Sequence, residues 1–140
     1  MSAEVVAVII VNHNGGERLL ACVASVLAQD HAPFCPILID NASTDRSPDR
    51  IARRFPGLLQ RRLPENRGYA AACNVGIGQA GDAEYLLFLA GDMQLPPDAL
   101  SRFLSAARRH PHVGLWNPVV TFPDGRFDFA GVKRGWLPGR

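Results

Sequence analysis

Two short runs in this chain end an apolar stretch in side chains that can hold a ligand. Ile37-Leu38-Ile39 leads into Asp40-Asn41-Ala42-Ser43-Thr44-Asp45, and Leu86-Leu87-Phe88-Leu89 leads into Ala90-Gly91-Asp92. Such runs read as buried strands, and open α/β sheets bind ligands at the carboxyl ends of parallel strands. Asp40 falls on the last strand residue, where no helix cap is needed, so a ligand contact is expected there. A helix begins near Ser47-Pro48, and Ser43, Thr44 or Asp45 is expected to cap it. Asp92 is a lone carboxylate with two readings. It either holds a hard divalent cation whose other positions go to substrate phosphates, or it caps the following turn.

Other patterns carry less. Gly76-Ile77-Gly78-Gln79-Ala80-Gly81 matches the spacing of a dinucleotide loop, which needs a strand before it and a helix after it. Here an alanine-rich helix precedes and a strand follows, so the glycines are expected to end that helix. His110-Pro111-His112 supplies two imidazoles where a closed metal site needs three or four ligands, and reads as a helix-ending loop. There is no Walker loop, Ser-His-Asp pattern or CxxC.

The elements that must position these residues follow from periodicity. Val5 to Val11 is a nearly unbroken β-branched run, the mark of a strand covered on both faces, and ends in the turn Asn12-His13-Asn14-Gly15-Gly16. From Glu17, the residues Leu19, Leu20, Val23, Val26 and Leu27 recur at helical spacing, which predicts a helix to about Gln29. Pro33 and Pro36 break it, and Ile37 to Asp40 makes the second strand. A helix over Pro48 to Phe55 is stopped by Pro56-Gly57. Leu58 to Leu63 is a short strand, Pro64 to Gly68 a loop, and Tyr69 to about Gly78 a helix. Glu84 to Leu89 is a buried strand, and Pro96-Pro97-Asp98 opens a helix through Arg109. Val113 to Val120 is a further expected strand, and Thr121 to Phe127 a hairpin with Asp124-Gly125 at its tip. Strands alternating with helices at short intervals mean βαβ units and a mostly parallel sheet in a layered α/β fold.

A chain of 140 residues suits one domain, expected over residues 1–140. The net charge of +2 is too small to point to nucleic acid. The pairs Arg53-Arg54, Arg61-Arg62 and Arg108-Arg109 read as solvated helix faces or strand ends, or more weakly as attraction to phosphates or an anionic membrane. Cys22, Cys35 and Cys73 lack metal-ligand spacing and read as buried free thiols of a reducing compartment. The start of the chain has no basic stretch, and Val5 to Val11 is too short to span a bilayer, so a cytoplasmic protein is expected.

Four segments in order resemble glycosyltransferase family 2. They are Val8 to Asn14, Ile39 to Asp45, Pro64 to Gly76 and Leu86 to Asp92, and the nearest likeness is to its rhamnosyltransferase-like group, where Pro123-Asp124-Gly125-Arg126 also has a counterpart. The resemblance implies a GT-A fold, a three-layer α/β/α sandwich, with a nucleotide-diphosphate sugar donor and Mg²⁺ or Mn²⁺. By that likeness His13, with Asn12 and Asn14 beside it, lines the base pocket. Asp40 accepts a hydrogen bond from the base, with Asn41 next to it. Asn66, Arg67 and Gly68 shape the loop near the donor, and Asn74 anchors the helix behind them. Asp92 sits at the metal and the diphosphate, although Ala90 stands where the family's D-x-D pattern has its first acid. The acceptor is expected to be a saccharide or lipid-linked sugar, with transfer inverting the anomeric carbon through a carboxylate base. The family's acceptor-binding half and base come later than Arg140, so none is assigned here; Asp124 and Asp128 read as turn and surface residues. Peripheral association with the inner membrane face and self-association through exposed apolar edges are further expectations. The competing readings are a non-catalytic nucleotide-binding module and an inert remnant.

Overall fold

The computed structural model describes residues 4–129. The chain divides after Ser105 into two compact units, and each unit is described by itself. The unperiodic tail from Lys133 to Arg140 lies outside the described residues.

In the first unit, β1 (Val6–Asn12), β2 (Phe34–Asp40), β3 (Leu59–Arg62) and β4 (Tyr85–Ala90) form a parallel sheet in the order β3-β2-β1-β4. The helices α1 (Gly16–Leu27), α2 (Ser47–Arg54) and α3 (Tyr69–Ile77) connect them, and α4 (Ala99–Arg109) follows β4. Every residue of β1 is buried, as its β-branched run predicts for a central strand. Its side chains alternate between two cores. Val6, Val8 and Ile10 pack with Leu19, Val23 and Val26 of α1, Ile51 of α2 and Leu100 and Leu104 of α4. Ala7, Ile9 and Val11 pack with Ile37, Ile39 and, from α3, Ala72 and Cys73. Helices therefore cover both faces, which is the expected α/β/α sandwich. Each fully buried Ile or Leu contributes about 2 kcal/mol of transfer free energy, so β1 and its neighbours hold the layers together.

The glycine-rich run behaves as a helix end. Gly76 is buried inside α3, where a Cβ would collide with Ile9 Cγ2, and Gly78 follows as the helix cap. Gly81 takes a φ of +58° in the turn before β4. At the margin of the sheet, Leu86 and Phe88 of β4 are 40% and 39% exposed, on the face that α3 covers farther in. Cys22 and Cys73 are buried free thiols, whereas Cys35 is only half-buried.

Two expectations change. Pro36 does not break the chain but lies within β2. It precedes the stretch that β3 reaches, which starts at Ile37, so its missing N–H falls where β2 has a neighbour on one side only. The strand expected over Val113 to Val120 shrinks to β5 (Val120–Thr121), paired antiparallel with β6 (Phe127–Phe129) in the second unit. An apolar run becomes a strand only when another strand takes its backbone groups, and the short hairpin offers partners to its last residues alone. Leu115 is accordingly 86% exposed. The hairpin tip forms as expected, with the Gly125 N–H donating to the Phe122 carbonyl at 2.9 Å and Gly125 at a φ of +82°. His110 ends α4 and stacks near Trp116, with ring centroids 5.8 Å apart.

Among the described residues, no helix is long and apolar enough to cross a membrane.

Candidate functional site

A cleft of about 390 Å³ opens at the carboxyl ends of β1 and β4. The chain leaves β1 for β2 on one side and returns in β4 on the other, so this is the point where strand order reverses. Ligands of open α/β sheets bind at such a point, because the two connections diverge there and leave a crevice. The lining includes the expected Asn12, His13, Asn14, Asn41, Asn66, Gly68 and Asp92.

Asn12 is the hub. Only 1% exposed, its Nδ2 lies 2.8 Å from Asp40 Oδ1, 2.9 Å from Ser43 Oγ and 3.1 Å from Ser47 Oγ. Two amide hydrogens serve these three acceptors. Its Oδ1 accepts the Gly15 N–H at 3.1 Å, and the Asn41 N–H donates to its carbonyl at 2.8 Å. Asn12 thus locks the end of β1 to the loops after both β1 and β2. Gly91 closes the floor, since a Cβ there would lie 3.2 Å from the Val11 carbonyl oxygen and 3.3 Å from Asn12 Oδ1.

Asp40, expected at the base, sits at the end of β2 beside Asn12 and Ser43. It is 2% exposed, and its Oδ1 accepts from Asn12 Nδ2 and, at 2.5 Å, from Ser43 Oγ, while Oδ2 accepts the Ser43 N–H at 3.1 Å. A buried carboxylate needs such donors, and here the chain supplies them all. Asp40 shapes the cleft through Asn12 and Ser43 and is not part of its lining. Asn41 lines the cleft with its amide already engaged, its Nδ2 donating to Asn66 Oδ1 at 2.8 Å and its Oδ1 accepting the Arg67 N–H at 3.0 Å. Arg67 therefore shapes the loop through its backbone, while its side chain is 61% exposed. Asn74 stands exposed on α3, outside the lining.

Asn14 takes a φ of +54° at the rim. Asparagine tolerates that conformation better than most residues, and its Oδ1 repays it by accepting the N–H groups of Thr44 at 2.8 Å and Asp45 at 3.1 Å. His13 is exposed, and its Nδ1 lies 2.9 Å from the Asn41 carbonyl oxygen. A carbonyl only accepts, so Nδ1 carries a proton and donates to it.

Asp45 anchors two helices at once. The formal cap of α2, Arg46, makes no side-chain bond, and Asp45 takes its place one residue earlier. Its Oδ1 accepts from the Ser47 N–H at 3.0 Å and from Ser47 Oγ, and its Oδ2 accepts the Gly16 N–H at 3.1 Å. Burial works to raise its pKa, but these hydrogen bonds and the nearby His13 outweigh it, leaving the carboxyl below its ordinary value. A depressed carboxylate lends its stability above the unfolded pKa, about 3.9, and loses it as pH falls through the folded value. Asp45→Ala is expected to cost about 1–2 kcal/mol at neutral pH, in the range of a lost cap. Urea unfolding of both proteins from pH 7 to pH 3 should show that gap closing below about pH 4. A gap that stays constant to pH 3 would contradict this role.

Six lining residues were not anticipated for the site: Val11, Gly15, Arg18, Tyr69, Ala90 and Gly91. Arg18 lies in the first turn of α1, a position that a glycine turn followed by a helix start could have signalled. Tyr69 opens α3 and is half exposed; its phenol, pushed up to about 12 by burial and by the Cys73 thiol, is a neutral hydrogen-bond donor at neutral pH. Beneath Ala90, burial pushes the Cys22 thiol up to about 12, with the Asp92 charge adding to it. Cys22 is therefore a packing group and no nucleophile.

A parallel sheet between helix layers, with a polar cleft where strand order reverses, defines a GT-A type fold. It is shared with S. aureus TarS 1-349 in complex with UDP-GlcNAc, at a TM-score of 0.67 and 23% identity over 76% of this chain and 32% of that one. It is shared also with a mannosyltransferase from Pyrobaculum calidifontis in complex with GDP-Man and Mn²⁺, at a TM-score of 0.64 and 25% identity over 73% of this chain and 32% of that one. Residues 7–139 match the model of glycosyl transferase family 2, and the chain belongs to that family. An N-acetylglucosaminyl-diphospho-decaprenol L-rhamnosyltransferase of Mycobacterium tuberculosis is 31% identical over 132 residues, which are 87% of this chain and 43% of that protein. The chain thus spans less than half the length of that relative.

Proposed function

We propose that the cleft binds a nucleoside-diphosphate sugar, and that the sugar passes with inversion to a saccharide or lipid-linked acceptor. The observation that carries this reading is the place of Asp92. It is an exposed carboxylate lining a polar crevice at the β1/β4 reversal, beside a scaffold whose other acids are already satisfied. Family membership and the donors named for the two structural neighbours support it. The base edge of the donor fits the His13, Asn14 and Asn41 side, with Asn66 and Gly68 closing the loop over it. Asp40, Arg67 and Asn74 act behind the lining.

Among the described residues no three His, Cys, Asp or Glu side chains converge into a cage. One carboxylate suits a hard cation that keeps its waters and takes phosphate oxygens, as Mg²⁺ does, and Mn²⁺ is of the same kind. Asp92 would hold it, and the cation supplies neutralisation of the departing diphosphate. The carboxylate that deprotonates the acceptor hydroxyl is assigned to no residue of this chain. The rhamnosyltransferase similarity supports a lipid-linked acceptor, and with it action at the cytoplasmic face of a membrane.

Calorimetric titration of the folded protein with UDP, dTDP and GDP in the presence of Mn²⁺ tests the donor site. Saturable binding of at least one is expected; no heat with any of them overturns the reading.

A further inference from the structure

We infer that Arg18 is the counter-charge for the donor's diphosphate, and that it makes donor binding only partly dependent on a divalent cation. The inference rests on the proposed donor site. Charge in the cleft is sparse: Asp92 is the acid in the lining and Arg18 the guanidinium. A diphosphate adds two or more negative charges beside Asp92, so without a cation Arg18 is what offsets them.

Arg18 is also free to do so. The neighbouring Glu17 is held by Arg50 of α2, and Arg18 itself, exposed on the first turn of α1, has no ion pair among the described residues. The amino end of α1 reaches the same cleft through Gly15, which sets Arg18 one turn from the lining glycine. That end is held rigidly, because Asn12 Oδ1 takes the Gly15 N–H and Asp45 Oδ2 the Gly16 N–H. A planar guanidinium can bond two phosphate oxygens at once, which a lysine ammonium does less well.

The test is calorimetry on wild type, Arg18→Ala and Arg18→Lys, using the nucleoside diphosphate that wild type binds and its parent nucleoside, each in EDTA and in Mn²⁺. In EDTA, Arg18→Ala should weaken the diphosphate about 30-fold and leave the nucleoside within about twofold, with Arg18→Lys intermediate. Mn²⁺ should recover more affinity in Arg18→Ala than in wild type. Equal losses for nucleoside and diphosphate, or no loss for either, would overturn the role of Arg18 while leaving the donor site standing. A wild type that binds no nucleotide would remove both.

Discussion

Asn12→Ala is expected to lower the unfolding free energy by about 3 kcal/mol, measured by urea denaturation with an unchanged m-value. The truncation leaves a cavity at a fully enclosed position and strips a donor from the buried Asp40 carboxylate. It also removes the acceptor of the Gly15 N–H. Water cannot readily replace these partners, since every buried side-chain polar atom among the described residues is satisfied within the chain. The near-isosteric Asn12→Asp separates shape from chemistry. It restores the volume but turns the Nδ2 donor into an acceptor 2.8 Å from Asp40 Oδ1, so it should be as damaging at neutral pH and milder in acid, where one carboxyl of the pair is protonated. A loss under about 1 kcal/mol in Asn12→Ala would show that the hub is dispensable.

Asp92→Asn is expected to act on the ligand and not on the fold. Asp92 is exposed, so its unfolding free energy should stay within about 0.5 kcal/mol of wild type. In Mn²⁺, affinity for the nucleoside diphosphate should fall on the order of 100-fold, the equivalent of a charge–charge contact made through the cation. In EDTA the sign reverses. Without a cation Asp92 only repels the diphosphate, so the variant should bind as well as wild type or slightly better. Titrations of both proteins in both buffers check this; a variant that keeps the full Mn²⁺ effect would take the cation away from Asp92.

The two variants separate layers of one site. Asn12, Asp40, Ser43 and Asp45 bond chiefly to one another and to backbone, which makes the rim of the cleft stiff before any ligand arrives. His13, Arg18, Tyr69 and Asp92 line the space that rim encloses. Substitutions in the first group should register in stability, and in the second group in affinity.

Much of this molecule is decided by local pattern. The unbroken run from Val5 to Val11 requires cover on both faces, and the alternation of such runs with helical spacing requires parallel strands. The place of the cleft followed too, because polar residues after Val11, Ile39 and Leu89 mark the carboxyl ends of strands that must lie together. Tertiary structure decided which of those polar residues remain available. Asp40 and Asp92 each follow an apolar strand and look alike in the chain, yet Asp40 is folded over by Asn12 and Ser43 while Asp92 lies past β4, exposed and lining the cleft. A strand read by itself cannot show that difference, because one donor to Asp40 comes from the end of β1, 28 residues away in sequence, and the others from the way the chain turns at Ser43. The same holds for Val113 to Val120, whose composition suits a strand but whose backbone meets a partner only at its end. Periodicity sets what each segment can become; the availability of hydrogen-bond partners, which only packing provides, settles what it is.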